Sequence, residues 1–277
     1  MTVYPPAKIN IGLFVTEKRP DGFHNIETIF YPISLTDRLD IDISEAEEKL
    51  DFTCCGMGLD GDSAANLCCK AYHMLDADYN LPPVKMRLYK NIPVGAGLGG
   101  GSSDAAYTLK ALNHLFDLQI PDERIAAYAS RLGSDCAFFA QNKPALGTGK
   151  GDILEPVPVS LSGYHILLVK PSVFVSTADA YSLVKPNLKQ QRLQELIQLP
   201  IDKWEENITN DFEKSVFVKF PEIKQIKEKM YNAGAAYASM SGSGSSVYGL
   251  FRTISLNVNQ LFSDCFVWND FDSFSAH

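Results

Sequence analysis

With 277 residues, 25 basic against 33 acidic side chains and a net charge of −8, the chain lacks the basic face that nucleic acid or an anionic membrane surface requires. Hydrophobic residues at 45% and charged residues at 21% suit a soluble globular fold of one large domain or two modest ones. A nucleotide stays admissible, because a phosphate site is built locally from backbone amides and one or two cations.

Met1–Pro6 has no basic segment leading into an apolar one, and no apolar run approaches membrane-spanning length. The six cysteines include two adjacent pairs, Cys54-Cys55 and Cys68-Cys69, rather than metal-binding knuckles. Buried thiols of a reduced cytoplasmic protein are therefore expected. Residues 7–14 alternate, with Ala7, Ile9, Ile11 and Leu13 opposing Lys8, Asn10, Gly12 and Phe14, which predicts a half-buried strand. Residues 39–43 and 50–54 read as short strands with a turn around Asp60-Gly61-Asp62. Asp62-Ser63 then suits the cap of a helix carrying Ala65, Cys68, Tyr72 and Leu75.

Val84 to Lys90 alternates again and leads through Pro93 into the run Val94-Gly95-Ala96-Gly97-Leu98-Gly99-Gly100-Gly101-Ser102-Ser103. Ala105, Ala106, Leu109, Leu112, Leu115 and Phe116 follow at helical spacing, with Ser102, Ser103 and Asp104 where a helix start prefers them. A second helix covers about 122–132 and stops at Gly133. After Pro156 and Pro158 come a strand at His165–Val169, a largely helical stretch over 211–233, and strands at 235–240 and 246–251 around a Gly/Ser loop. A soft boundary near 158 divides the chain into 1–158 and 159–277, and the mixture of elements gives an α+β architecture.

Strand, glycine loop and helix in that order aim backbone N–H groups and a helix N-terminus at one point, which suits a phosphate. The serine hydroxyls can add ligands for a phosphate oxygen or a magnesium ion. Gly95 to Gly100 also matches G-x-G-x-x-G, and Asp117 stands twenty residues beyond Gly97. A dinucleotide fold, however, wants a first strand buried on both faces, and Val84 to Lys90 alternates with cations. The Walker pattern fails, since Gly149-Lys150 is followed by Gly151.

This loop, with Pro6-Ala7-Lys8-Ile9-Asn10, Arg19-Pro20-Asp21-Gly22-Phe23-His24, Leu132–Phe139 and Met240–Ser246, resembles the GHMP kinase superfamily in its order along the chain. Within it, the resemblance is to the branch that phosphorylates a diphosphocytidyl-linked methylerythritol in the non-mevalonate isoprenoid route. The resemblance implies an N-terminal α+β domain with a left-handed βαβ crossover and a ferredoxin-like C-terminal domain. It implies ATP and Mg2+ at the glycine loop, an acceptor between domains, and transfer of the γ-phosphate to a 2-hydroxyl. It makes Lys8 and Asp135 the catalytic pair, and Phe23-His24 the reader of the cytidine. The family usually has Tyr before that His, so a hydroxyl is missing here. Tyr181 is implied as the opposite aromatic, and Asn10, Lys150, Ser241 and Gly242 as further substrate contacts. Asn66 is a looser candidate near the nucleotide base.

Bland alternatives stand beside these roles. Lys8 and Asn10 share a strand face roughly 6–7 Å apart and suit a solvated face, Asp135 suits a cap or turn, Tyr181 suits helix packing, and Lys150 suits a solvated turn. The competing functions are a sister kinase acting on mevalonate, homoserine or a sugar, a non-catalytic nucleotide-binding module, and a nicotinamide-dependent dehydrogenase. Magnesium ligands beyond the serines and the oligomeric state, monomer or weak homodimer, are left open by the residues alone.

Overall fold

The computed structural model describes residues 1–57, 65–253 and 258–271. In chain order the strands are β1 (Thr2–Val3), β2 (Pro6–Lys18), β3 (His24–Thr36), β4 (Arg38–Ile43), β5 (Leu50–Gly56), β6 (Val84–Lys90), β7 (Ala145–Thr148), β8 (Ile153–Pro156), β9 (His165–Lys170), β10 (Tyr237–Met240), β11 (Val247–Phe251) and β12 (Phe266–Asn269). The helices are α1 (Leu67–Tyr79), α2 (Gly100–Leu115), α3 (Asp122–Leu132), α4 (Cys136–Gln141), α5 (Thr177–Tyr181), α6 (Leu193–Leu196), α7 (Trp204–Asn207), α8 (Glu213–Lys219), α9 (Pro221–Asn232) and α10 (Val258–Leu261).

Two compact units result, and neither is one continuous stretch of chain. The first comprises Met1–Lys8, Pro32–Val94 and Gly99–Lys143, and the second comprises Ile9–Tyr31, Gly95–Leu98 and the chain from Pro144. The sequence boundary at 158 is a different division from these units.

The first unit holds the sheet β1-β4-β6-β5, in which β5 and β6 are parallel and joined through α1. Alternation in β6 works as the sequence suggests, since Val84, Met86 and Leu88 are buried and Lys85, Arg87 and Tyr89 are only partly covered. These side chains join Leu39, Ile41, Tyr72, Leu75, Leu109 and Leu112 in one core. Helix α1 starts at Leu67, and the Asn66 side chain accepts the Cys68 N–H as its cap. The Asp60–Asp62 turn and the Asp62-Ser63 cap lie outside the described residues. Helix α3 ends at Gly133 as read from sequence.

The second unit holds two sheets, apart from Pro6–Lys8 of β2 and Pro32–Thr36 of β3, which belong to the first unit. One runs β2-β3-β7-β8, and the other runs β10-β11-β9-β12 with every neighbour antiparallel. The latter order, with helices after its first and third strands, is ferredoxin-like. Its core gathers Leu167, Val169, Val216, Ile223, Met240 and Val247. The helical stretch expected over 211–233 is two helices, because Pro221 cannot continue an i→i−4 ladder from α8 and instead opens α9.

Two expectations change. Strand β2 is not half-buried: from Pro6 to Val15 both faces are covered, with Lys8 and Asn10 only 3% and 2% exposed. Its polar face is buried against polar partners rather than water. Of the cysteines, Cys68, Cys69 and Cys136 are buried, Cys54 and Cys265 partly so, and Cys55 is exposed. Among the described residues no helix is long and apolar enough to cross a membrane.

Candidate active site

Glycines of the loop adopt backbone conformations that other residues rarely reach. Gly95, Gly97 and Gly99 have φ of 63°, 76° and 71°, and Gly99 is the left-handed N-cap of α2. The helix therefore begins at Gly100, two residues earlier than expected, and places Ser102, Ser103 and Asp104 inside its first turns. A Cβ on Gly99 would stand 2.8 Å from the Phe139 ring and 3.2 Å from Lys8 Cε, so Lys8 runs directly alongside the loop. Ser102 lies beside Gly133 and Cys136. Ser103 Oγ is buried without a hydrogen-bond partner among the described residues.

Lys8 Nζ stands 3.5 Å from Asp135 Oδ2. Asp135 occupies the N-cap position of α4 but makes no side-chain cap bond, which leaves its carboxylate facing Lys8. Burial pulls the Lys8 ammonium below its ordinary value, and the attraction of Asp135 offsets this only in part. Asp135 is one-third exposed, and water screens that attraction.

The second unit holds the aromatic candidates. Arg19 and Asp21 close the turn before β3, and Asp21 Oδ1 accepts the Phe23 N–H at 3.1 Å. Phe23 is 58% exposed, with Lys150 Nζ 5.1 Å from its ring centre. His24 and Tyr181 stack at 4.6 Å with an interplanar angle of 22°. Tyr181 meets Phe212 edge-on, and burial pushes its hydroxyl pKa up. The helix bearing Tyr181 is capped by Ser176.

Asn10 is taken up by the protein itself. Its Nδ2 donates to Thr28 Oγ1 at 3.0 Å, its N–H donates to Ser241 Oγ, and Tyr248 donates to its carbonyl at 3.0 Å. Ser241 Oγ donates to the Gly97 carbonyl at 2.9 Å, and a Cβ on Gly97 would stand 2.0 Å from the Ser241 carbonyl oxygen. The Ser241–Ser246 hairpin loop thus packs against the middle of the glycine loop. A Cβ on Gly242 would lie 3.1 Å from Asn10 Oδ1.

Sequence reasoning passed over Asn210–Glu213. Asn210 Nδ2 donates to the carbonyls of Met240 and Gly242, both at 2.8 Å. Asp211 Oδ2 accepts the Val15 N–H, Phe212 supports Tyr181, and Glu213 accepts the Met240 N–H. Four consecutive residues therefore hold the end of β2, the aromatic stack and the hairpin loop. No spacing rule marks such a segment, because most of the atoms it holds lie in other elements of the chain.

The chain matches the family described as GHMP kinases N terminal domain over residues 66–143, and GHMP kinases C terminal over 187–256. It is 53% identical over 252 residues to a 4-diphosphocytidyl-2-C-methyl-D-erythritol kinase of Bacteroides fragilis, covering 91% of this chain and 92% of that one. The chain belongs to the 4-diphosphocytidyl-2-C-methyl-D-erythritol kinase family of GHMP kinases. A member from Parabacteroides distasonis is 49% identical over 269 residues, covering 97% of this chain and 98% of that one. A crystal structure of a 4-(cytidine 5'-diphospho)-2C-methyl-D-erythritol kinase superposes with a TM-score of 0.82 at 30% identity, covering 97% and 98%. As a GHMP kinase, the chain is an ATP-dependent kinase acting on a small molecule. Membership disposes of the dehydrogenase reading, which G-x-G-x-x-G alone would have allowed.

Proposed function

We propose that this GHMP kinase transfers the γ-phosphate of ATP to the 2-hydroxyl of 4-diphosphocytidyl-2-C-methyl-D-erythritol, in the non-mevalonate route to isoprenoid precursors. The observation that carries the chemistry is the buried Lys8 ammonium beside both Asp135 and Gly99 of the loop. The acceptor is a tertiary alcohol, whose proton leaves only as phosphoryl transfer proceeds. Asp135 takes that proton, and Lys8 offsets charge on the transferred group. Positioning and electrostatics supply most of the rate in this class, so Asp135 need not be a strong base.

Residues 93–103 hold the triphosphate on backbone amides and the α2 N-terminus. No group of three His, Cys, Asp or Glu side chains among the described residues is arranged to hold a metal. The unpartnered Ser103 hydroxyl suits magnesium carried mainly by ATP phosphates and water. Magnesium would neutralise charge on the phosphates; that ion and a cytoplasmic setting belong to this proposal.

Phe23 and His24 read the cytosine, with Phe23 offering an exposed ring face and Lys150 set to meet the diphosphate. The contact between His24 and Tyr181 leaves no slot for a base between those two rings. Stacking thus uses Phe23, or requires His24 to leave Tyr181. Phe23→Ala should raise the KM of the cytidyl acceptor about 10-fold, since a base–aromatic stack is worth about 1–3 kcal/mol, and leave the KM of ATP unchanged. An equal effect from Tyr181→Ala on acceptor KM would show that both rings engage the base. Ser241 and Gly242 act by shaping the loop, and Asn10 acts through Ser241.

The deciding assay measures ADP release with ATP and, separately, the cytidyl acceptor, mevalonate, homoserine and a sugar. Turnover confined to an acceptor other than the cytidyl one would overturn the proposal. Lys8 gives a second signature. Because burial depresses its pKa, the cation is lost as pH climbs through a value below 10.5. An alkaline limb in kcat/KM is expected there, and the residual activity of Lys8→Arg should lack it because arginine stays charged. The same limb in that variant would assign the titration elsewhere.

A further inference from the structure

Three charged side chains outside the reaction described above meet in the core of the first unit. Lys90 ends β6 in phase with Val84, Met86 and Leu88, and therefore points inward. It is 6% exposed, Asp37 is 0% and Asp104 is 2%. Lys90 Nζ donates to Asp104 Oδ2 at 2.6 Å and to Asp37 Oδ2. Asp37 Oδ1 accepts the backbone N–H groups of Asn91 at 2.6 Å and Ile92 at 2.8 Å. A Cβ on Gly100 would stand 3.0 Å from Ile92 and 3.2 Å from Lys90 Nζ, so the first turn of α2 rests on this group.

Lys90 to Ile92 is the entry to the glycine loop, and Asp104 lies just past its exit. We propose that Lys90, Asp37 and Asp104 are positioning residues that tie the two ends of the loop together and preset it for the triphosphate. This rests on reading 93–103 as the ATP loop. A buried ion group seldom adds more stability than apolar residues of the same volume would. What it adds is direction, because both Asp37 oxygens and Asp104 Oδ2 each hold particular donors. A loop ordered during folding need not be ordered again on binding, and that ordering would otherwise weaken affinity.

Asp104→Ala removes the exit tie while leaving Lys90 paired with Asp37, so no cation is orphaned. The KM of ATP should rise about 10-fold, the order expected for one charge-assisted hydrogen bond, with kcat within about 3-fold. Asp104→Asn keeps an acceptor for Lys90 and should restore KM to within about 3-fold of wild type. Thermal melts establish that both variants are folded under the assay conditions. Should Asp104→Ala fail to fold, Asp37→Asn provides the reading: it keeps acceptors for the two amides, weakens the hold on Lys90 and should raise ATP KM about 3-fold. Folded variants with wild-type ATP KM, or with a loss confined to kcat, overturn the tie. If Gly97→Ala weakens ATP binding while these variants do not, only the tie falls; if Gly97→Ala also binds ATP normally, the loop assignment itself falls.

Discussion

Replacing Asp135 by Asn is expected to lower turnover by about 10²–10⁴-fold, the range for removal of a positioned acid–base group, while ATP affinity stays within about 3-fold. The amide has nearly the shape of the carboxylate, and no cap bond of α4 depends on the side chain, so the fold should persist. What is lost is the acceptor for the alcohol proton and the anion beside Lys8. A simultaneous fall in kcat and kcat/KM with unchanged ATP binding is the signature of an interaction made in the transition state. Turnover within 10-fold of wild type would remove Asp135 from the mechanism. Because the Lys8 ammonium is already depressed by burial, losing Asp135 should depress it further, and any residual activity should show its alkaline limb at lower pH.

The second large effect is expected at Gly97. Alanine there must take φ near 76°, which costs a non-glycine residue about 1–2 kcal/mol, and its Cβ would meet the Ser241 carbonyl oxygen at 2.0 Å. Flexible side chains can yield to such a clash, whereas this atom is backbone. Its loop is held by Asn210 at Met240 and Gly242, and by Ser241 at Asn10. With overpacking adding about 1–3 kcal/mol, Gly97→Ala should lower stability by roughly 2–5 kcal/mol and abolish measurable ATP binding. Gly101, four residues along in the same motif, is the control. It lies in α2 with nothing within 4 Å of where a Cβ would stand, so Gly101→Ala should be neutral or stabilising by up to about 1 kcal/mol. Thermal melts and ATP titration of the two variants check both expectations.

How much of this the sequence disclosed depended on where water sits. Strand β6 and helix α3 were legible nearly to the residue, because each sets an apolar face against a solvated one. Strand β2 obeys the same alternation, yet its polar face is buried, and no periodicity distinguishes solvent from a buried polar partner. Strand β3 gave no clear signal at all, since Pro32 and scattered polar residues interrupt its pattern. At the site, strand, loop and helix pointed to a phosphate on physical grounds, but Lys8, Asp135 and Phe23 gained roles only through family resemblance. Lys90 did leave a trace, as a lysine in phase with the apolar side of an alternating strand. Asp37 left none, because its purpose depends on two amides in a distant part of the chain.

The discontinuous units also bear on how the chain is made. β3 pairs with β7 in the register Thr28 opposite Gly147. At about 5–20 residues per second, the ribosome needs roughly 10 s to deliver β7 after β3. During that interval β3 has one side without its native neighbour, an open template for a wrong strand. The stretch synthesised meanwhile supplies most of the first unit, including both strand neighbours of β6 and the helices α1, α3 and α4 that pack on α2. Assembly order therefore runs against chain order: the middle of the polypeptide can settle while an early strand waits for a late one.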